Sequence, residues 1–221
     1  MILELKDVLN QTEIARLREI AATVNFVNGR ASNEGFSEKD NLQADPGDAR
    51  SSEVSRLVSG ALMRQRQFLD FVFPKRMMPP LLARYEPGMK YGAHADAALL
   101  ATPSGPLRSD VSVTVFLNPP ESYEGGELVL HMGARSIPIK FEPGAAVVYP
   151  STTLHEVAPV RSGQRLVAIT FIESFLPDEA DREIIYELGE ISALEGNNMD
   201  VVNRMRLEIV RQNLTRRWAG R

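Results

Sequence analysis

Between Val111 and Tyr149 the chain reads VSVTVFLNPPESYEGGELVLHMGARSIPIKFEPGAAVVY, and the period of this stretch decides the fold class. Val111, Val113, Val115 and Leu117 alternate with Ser112, Thr114, Phe116 and Asn118. Successive side chains of a strand point to opposite faces, so this alternation predicts a strand between a core and a wetter face. Asn118-Pro119-Pro120, Glu124-Gly125-Gly126 and Glu142-Pro143-Gly144 then supply the restricted or positive φ angles that turns require. Working outward, the same rhythm begins at Leu81 and ends at Ser174, with strands predicted over 81–85, 111–118, 127–131, 136–141, 145–149 and 166–172. Many short strands without intervening helices predict an antiparallel sandwich or jelly roll.

Both flanks of this segment change period. Near the start, Ile2, Leu3 and Leu5 form a short apolar opening, and Asn10 with Glu13 makes a capping pair. Ile14, Leu17, Ala21 and Val24 then recur at helical spacing and predict an amphipathic helix. The stretch 28–50 is rich in Gly, Asn, Asp and Ser and contains Asp45-Pro46-Gly47-Asp48, which predicts a long loop or flap. Val54, Leu57, Val58, Leu62, Phe68, Leu69 and Val72 predict one longer helix that braces the sheet and ends before Pro74. After Pro177, a helix starting at Asp178 or Asp181 carries Ile184, Ile185, Leu188, Ile191 and Leu194 toward Gly196. A last helix from about Met199 to Trp218 carries Arg204, Arg206, Arg211, Arg216 and Arg217, either as a solvated basic face or as a surface for a carboxylate-bearing partner. The expected organisation is one domain over 1–176, with N-terminal helices in 1–80 and a jelly-roll core in 81–176, followed by a helical extension over 177–221.

Composition narrows the function. At 221 residues and 43% hydrophobic, the chain can bury a full core. A formal net charge of −4 argues against a nucleic-acid partner, whose phosphates are held by clustered Lys and Arg. With no cysteine, thiolate metal sites and disulfides are excluded, which suits the cytoplasm and leaves His and carboxylate as metal ligands. No segment approaches the ~18 uninterrupted apolar residues of a membrane span.

Within the strand-rich segment lies His94-Ala95-Asp96, with His155 further on and Arg165 opening the last strand. Two imidazoles and one carboxylate form the facial set that holds Fe(II) and leaves coordination positions open for O2 and a co-substrate. Three histidines and ten aspartates would produce a bare His-x-Asp by chance in about one such chain in seven, so context has to carry the reading. Taken singly, His94 and Asp96 also fit a surface hydrogen bond, and Tyr85 fits a core aromatic. Arg165 also fits a salt bridge with Glu127, Glu142 or Glu173.

The ordered series of motifs resembles a known family. Arg84-Tyr85 to Gly88, Tyr91-Gly92-Ala93-His94-Ala95-Asp96, Gly125-Gly126-Glu127-Leu128, Pro143-Gly144 to Tyr149-Pro150, Leu154-His155-Glu156-Val157 and Gly163-Gln164-Arg165 resemble the prolyl-4-hydroxylase branch of the Fe(II)/2-oxoglutarate dioxygenases. The similarity is greatest to the bacterial PKHD-type hydroxylases, the PiuC/YbiX group linked with iron uptake, and it extends over nearly the whole chain. The resemblance implies a double-stranded β-helix of the cupin type, with iron on His94, Asp96 and His155. It implies that Arg165 anchors the distal carboxylate of 2-oxoglutarate, that Tyr85 faces this co-substrate, and that ascorbate keeps the iron reduced. Halogenating relatives lack the carboxylate, so Asp96 favours hydroxylation. The substrate, a small molecule or peptide that the resemblance links to iron or siderophore uptake, would be selected by 28–50 and by 97–110 with its Pro103-Ser104-Gly105-Pro106 turn. A non-catalytic iron or oxygen sensor on the same fold, or a cupin-like binding domain, are the alternative readings, and a homo-oligomer through the C-terminal helices is compatible with each.

Overall fold

The computed structural model describes residues 1–32 and 38–219. Two antiparallel sheets face each other. The larger one orders Leu3–Leu5, Ala146–Pro150, Val111–Phe116, Arg165–Ser174, Leu81–Tyr85, Leu42–Ala44 and Phe26–Asn28, with Pro74–Met77 also pairing on the Arg165–Ser174 strand. The smaller one orders Arg135–Ile139, Leu128–Met132, Leu154–Val157, Lys90–His94 and Lys39–Asp40. Along the chain the core strands cross repeatedly from one sheet to the other, which is the winding of a double-stranded β-helix.

The alternation in Val111–Phe116 sorts two buried environments, not a buried and a wet one. Val111, Val113 and Val115 join Ile14, Leu17, Val54, Val58, Leu62 and Phe68 in a core between the larger sheet and the helices. Phe116 instead joins Tyr85, Leu128, Leu130, Tyr149 and Val167 in the space between the sheets. Ser112 and Thr114 point the same way as Phe116 and are buried too. The expected wetter face is therefore the barrel lumen, where polar side chains survive burial only by finding hydrogen-bond partners.

Helix Gln11–Thr23 opens on the expected reciprocal cap: the Glu13 backbone N–H donates to Asn10 Oδ1 at 2.9 Å, and the Asn10 N–H donates to Glu13 Oε2 at 3.0 Å. The single helix expected to reach Val72 is two, Ala49–Met63 and Arg66–Val72, because Gln65 takes an extended conformation. The change of direction lets Phe68, Phe71 and Val72 enter the core with Val54 and Val58. The loop expected over 28–50 is also corrected. Lys39–Asp40 and Leu42–Ala44 pair with Lys90–His94 and Leu81–Tyr85, so this segment adds a strand to each sheet. Asn41 separates those two short strands, and Asp45-Pro46-Gly47-Asp48 leads from the second into helix Ala49–Met63; residues 33–37 of the expected flap lie outside the described residues. In 97–110, Leu99–Leu100 and Leu107–Arg108 form a short hairpin around the Pro103–Pro106 turn.

Asp178 caps helix Glu179–Glu195 by accepting from the N–H groups of Ala180 and Asp181. Ile185 and Tyr186 of that helix are buried, the tyrosine edge-on to Phe71. Gly196 ends the helix in a right-handed conformation, and Asp200 caps the final helix, Val201–Trp218. None of the described helices is long and apolar enough to cross a membrane.

Candidate active site

Strand register brings the two histidines together. In the antiparallel pairing of Leu154–Val157 with Lys90–His94, His155 lies directly opposite His94, and their ring centroids are 4.3 Å apart. His94 Nδ1 is 2.7 Å from the Gly92 carbonyl and His155 Nδ1 is 2.9 Å from the Thr153 carbonyl. A carbonyl only accepts, so each Nδ1 carries a proton and each Nε2 is the ring atom turned toward the site. Both Nε2 atoms face Asp96 Oδ1, at 4.0 Å from His94 and 3.8 Å from His155. The three ligand atoms lie within 4.8 Å of one another, close enough to share one ion.

The electrostatics fit a cation in this position. Burial pushes the Asp96 carboxyl upward, against the opposing effects of His155, the Ser112 hydrogen bond and Lys39. Burial, with His155 adding to it, holds His94 down at about 4, so its imidazole is neutral at pH 7. A buried carboxylate facing imidazole nitrogens recovers its lost hydration when a divalent cation supplies the missing charge.

Further side chains hold this set in place. Ser112 Oγ donates to Asp96 Oδ2 at 2.6 Å, Ser151 Oγ lies 2.7 Å from Ser112 Oγ, and Ser109 Oγ donates to Ser151 Oγ at 2.8 Å. Because Ser112 spends its proton on Asp96, the chain runs Ser109 to Ser151 to Ser112 to carboxylate. Tyr91 stacks on His94 with centroids 3.6 Å apart, and Lys39 Nζ sits 5.0 Å over the Tyr91 ring. Lys39 is only 4% exposed, and burial lowers its ammonium to about 8 while Asp96 opposes the shift.

Arg165 and Tyr85 are register partners on adjacent strands and both side chains enter the lumen. The guanidinium carbon is 4.9 Å from the centre of the Tyr85 ring and 6.0 Å from that of Phe116. Arg165 is 2% exposed, its Nε is buried without a partner, and no carboxylate pairs with it among the described residues. The alternative salt bridges are not formed; Glu173 pairs instead with Lys75 and Arg76. Tyr85 and Tyr149 each feel both the Arg165 and the Asp96 charge, which puts the arginine and the triad in one lumen. Burial raises both phenols, Tyr149 well above its ordinary value, so both remain protonated hydrogen-bond donors. At Tyr85 the Arg165 charge and the Asn41 side chain oppose that rise.

All five residues singled out in the sequence therefore line one lumen. Ser112, Ser151, Lys39 and Asn41 were not singled out. Ser112 left one trace, a hydroxyl at every second position of an otherwise apolar strand; the short segment holding Lys39 and Asn41 is too brief for a period.

Comparison with known proteins places the fold and the family. A Pseudomonas putida prolyl-4-hydroxylase superposes with a TM-score of 0.55 at 19% identity, covering 78% of this chain and 92% of that one. A Trichoplax adhaerens prolyl hydroxylase in complex with a hypoxia-inducible-factor peptide fragment gives 0.58 at 20% identity, covering 83% and 86%. Residues 80–173, which span the core strands and the triad, match the 2OG-Fe(II) oxygenase superfamily. The class is thus that of the 2-oxoglutarate-dependent dioxygenases. Over 216 residues the chain is 47% identical to a PKHD-type hydroxylase of Sphingopyxis alaskensis, covering 97% of this chain and 98% of that relative, and it belongs to the PKHD-type hydroxylase family.

Proposed function

We propose that His94, Asp96 and His155 hold Fe(II) and that Arg165 anchors the distal carboxylate of 2-oxoglutarate, with the Tyr85 hydroxyl as a second donor. The reaction is hydroxylation of a C–H bond in a small molecule or peptide. When bound, iron with O2 supplies oxidative decarboxylation, so that 2-oxoglutarate, O2 and R–H become succinate, CO2 and R–OH.

The observation that carries this reading is the buried guanidinium of Arg165, whose Nε has no partner and which no carboxylate meets among the described residues. Burying such a charge is costly without a counter-ion, and its planar fork matches a carboxylate in bidentate fashion. The lumen thus selects for an acid that brings its own carboxylate. Tyr85 keeps its proton under burial and offers it to the same group. Ser112 binds one oxygen of Asp96 and leaves the other facing the two imidazoles. Ascorbate is the proposed accessory reductant and the cytoplasm the proposed compartment. A substrate connected with iron or siderophore uptake follows from the family resemblance.

Calorimetry on the metal-loaded protein without O2 tests the arginine. Arg165→Ala is expected to weaken 2-oxoglutarate binding on the order of 100-fold, as loss of a desolvated charged contact does, while metal binding stays as in the parent. Unchanged 2-oxoglutarate affinity would remove Arg165 from the site. His155→Ala should lose stoichiometric metal. Absence of succinate after O2 is admitted to the fully iron-loaded protein with 2-oxoglutarate would sink the enzymatic reading.

A further inference from the structure

The final helix, Val201–Trp218, contains no buried residue, although it runs for 18 residues. Helices in water are held mainly by packing an apolar face, and the inner face of this one, with Leu207, Leu214 and Trp218, is only half-buried. Its apolar residues are not scattered. Val201, Met205 and Ile209 follow one another at intervals of four and so share a face, at 68%, 56% and 50% exposure. The preceding helix, Glu179–Glu195, exposes Ile184, Ile191 and Leu194, the last at 73%. With Val202 and Val210, this hairpin carries eight of the fourteen exposed large hydrophobic residues among the described part of the chain. Such concentration on a surface marks an interaction site.

Charge says what covers it. Helix Glu179–Glu195 carries Glu183, Glu187, Glu190 and Glu195 on its exposed or half-buried surface, and helix Val201–Trp218 carries Arg204, Arg206, Arg216 and Arg217. Among the described residues no ion pair joins the two helices; the only ion pair within the last helix is Arg211 with Glu208. One acidic and one basic helix, each with an apolar stripe, form a self-complementary unit. When two such hairpins pack about a two-fold axis as a four-helix bundle, each helix can neighbour its own mate and the opposite helix of the second copy. Acidic then meets basic across the seam, whereas pairing like with like would place glutamates against glutamates.

We propose that the C-terminal hairpin is a homodimer interface, with the acidic helix of one copy lying against the basic helix of the other. The assignment is independent of the catalytic reading. Sedimentation velocity of the full chain at low micromolar concentration is expected to give a dimer that weakens as salt rises, because the flanking charges are solvent-exposed. Met205→Glu with Ile209→Glu alters two exposed positions and is expected to weaken association by about 100-fold or more, giving monomers with an unchanged circular dichroism spectrum. Arg206→Glu with Arg217→Glu should also weaken self-association, and mixing that variant with Glu183→Arg plus Glu187→Arg should restore a heterodimer. A parent chain that stays monomeric up to about 100 micromolar, or a dimer that both double variants leave intact, overturns the proposal. So does a monomer that uses these residues to bind lipid vesicles or a different protein.

Discussion

The Ser112 hydroxyl donates to Asp96 Oδ2 at 2.6 Å, across 16 residues of sequence, and so turns Oδ1 toward the two histidines. A metal-ligating carboxylate owes its orientation to such a partner. Ser112→Ala is expected to lower Fe(II) affinity about tenfold, the lower end for loss of an outer hydrogen bond to a ligand, without unfolding the protein. Anaerobic metal titration reads this directly, and an unaltered dissociation constant would show that Asp96 is positioned by other contacts.

Gly126 stands against Arg165, the proposed anchor of the co-substrate. Its φ is +67°, and a Cβ built there lies 3.2 Å from Arg165 Cδ. Gly126→Ala therefore combines the roughly 1–2 kcal/mol cost of a left-handed alanine with displacement of the arginine stem. The expected result is a several-fold rise in the KM for 2-oxoglutarate with metal binding retained. At Gly125 the added carbon would meet the Pro159 carbonyl oxygen at 2.1 Å, so Gly125→Ala should damage folding itself. Thermal melts should rank Gly125→Ala well below Gly126→Ala, and equal melting temperatures would contradict this.

Lys39 brings a buried positive charge to the wall that also holds Tyr91 and His94. Its ammonium acts on both His94 and Asp96. Lys39→Met removes a charge that repels a divalent ion and attracts an anion. Metal affinity should rise and 2-oxoglutarate affinity fall, each by about tenfold or more, since a unit charge roughly 10 Å away in an effective dielectric of about 20 contributes about 1.7 kcal/mol. Movement of both affinities in the same direction would refute the electrostatic role.

The metal-free protein should carry an acid-sensitive histidine. His94 titrates at about 4 in the fold against 6.5 as a free side chain. Between those values the unfolded chain binds the extra proton, so this histidine's contribution to stability is whole above pH 6.5 and is lost as pH falls toward 4. Asp96 acts with the opposite sign, since its raised pKa makes the folded state hold a proton longer as pH rises above 3.8. A histidine Cε1 resonance assigned to His94 is expected to titrate near pH 4 in metal-free protein. A midpoint near 6.5 would show that the imidazole is not desolvated.

Much of the architecture was legible because it depends on local periodicity. The 81–85 strand, the capped first helix and the Asp178 start appear where spacing and turn residues placed them. Errors fell where tertiary context overrides local pattern. The kink at Gln65 contains neither Gly nor Pro and answers to packing of Phe68 and Phe71. The short strands between 26 and 44 are too brief to show a period and exist because two sheet edges receive them.

By itself the sequence determined the jelly-roll class and put His94, Asp96, His155, Arg165 and Tyr85 forward as candidates, since alternation, turn chemistry and residue type are properties of the chain. Only the tertiary structure decided that His155 faces His94, that Ser112 holds Asp96, and that Arg165 is buried with no carboxylate partner among the described residues. Those relationships depend on strand register and on which faces the two sheets enclose. Both are settled by long-range packing, because a one-residue slip would turn each side chain to the opposite face.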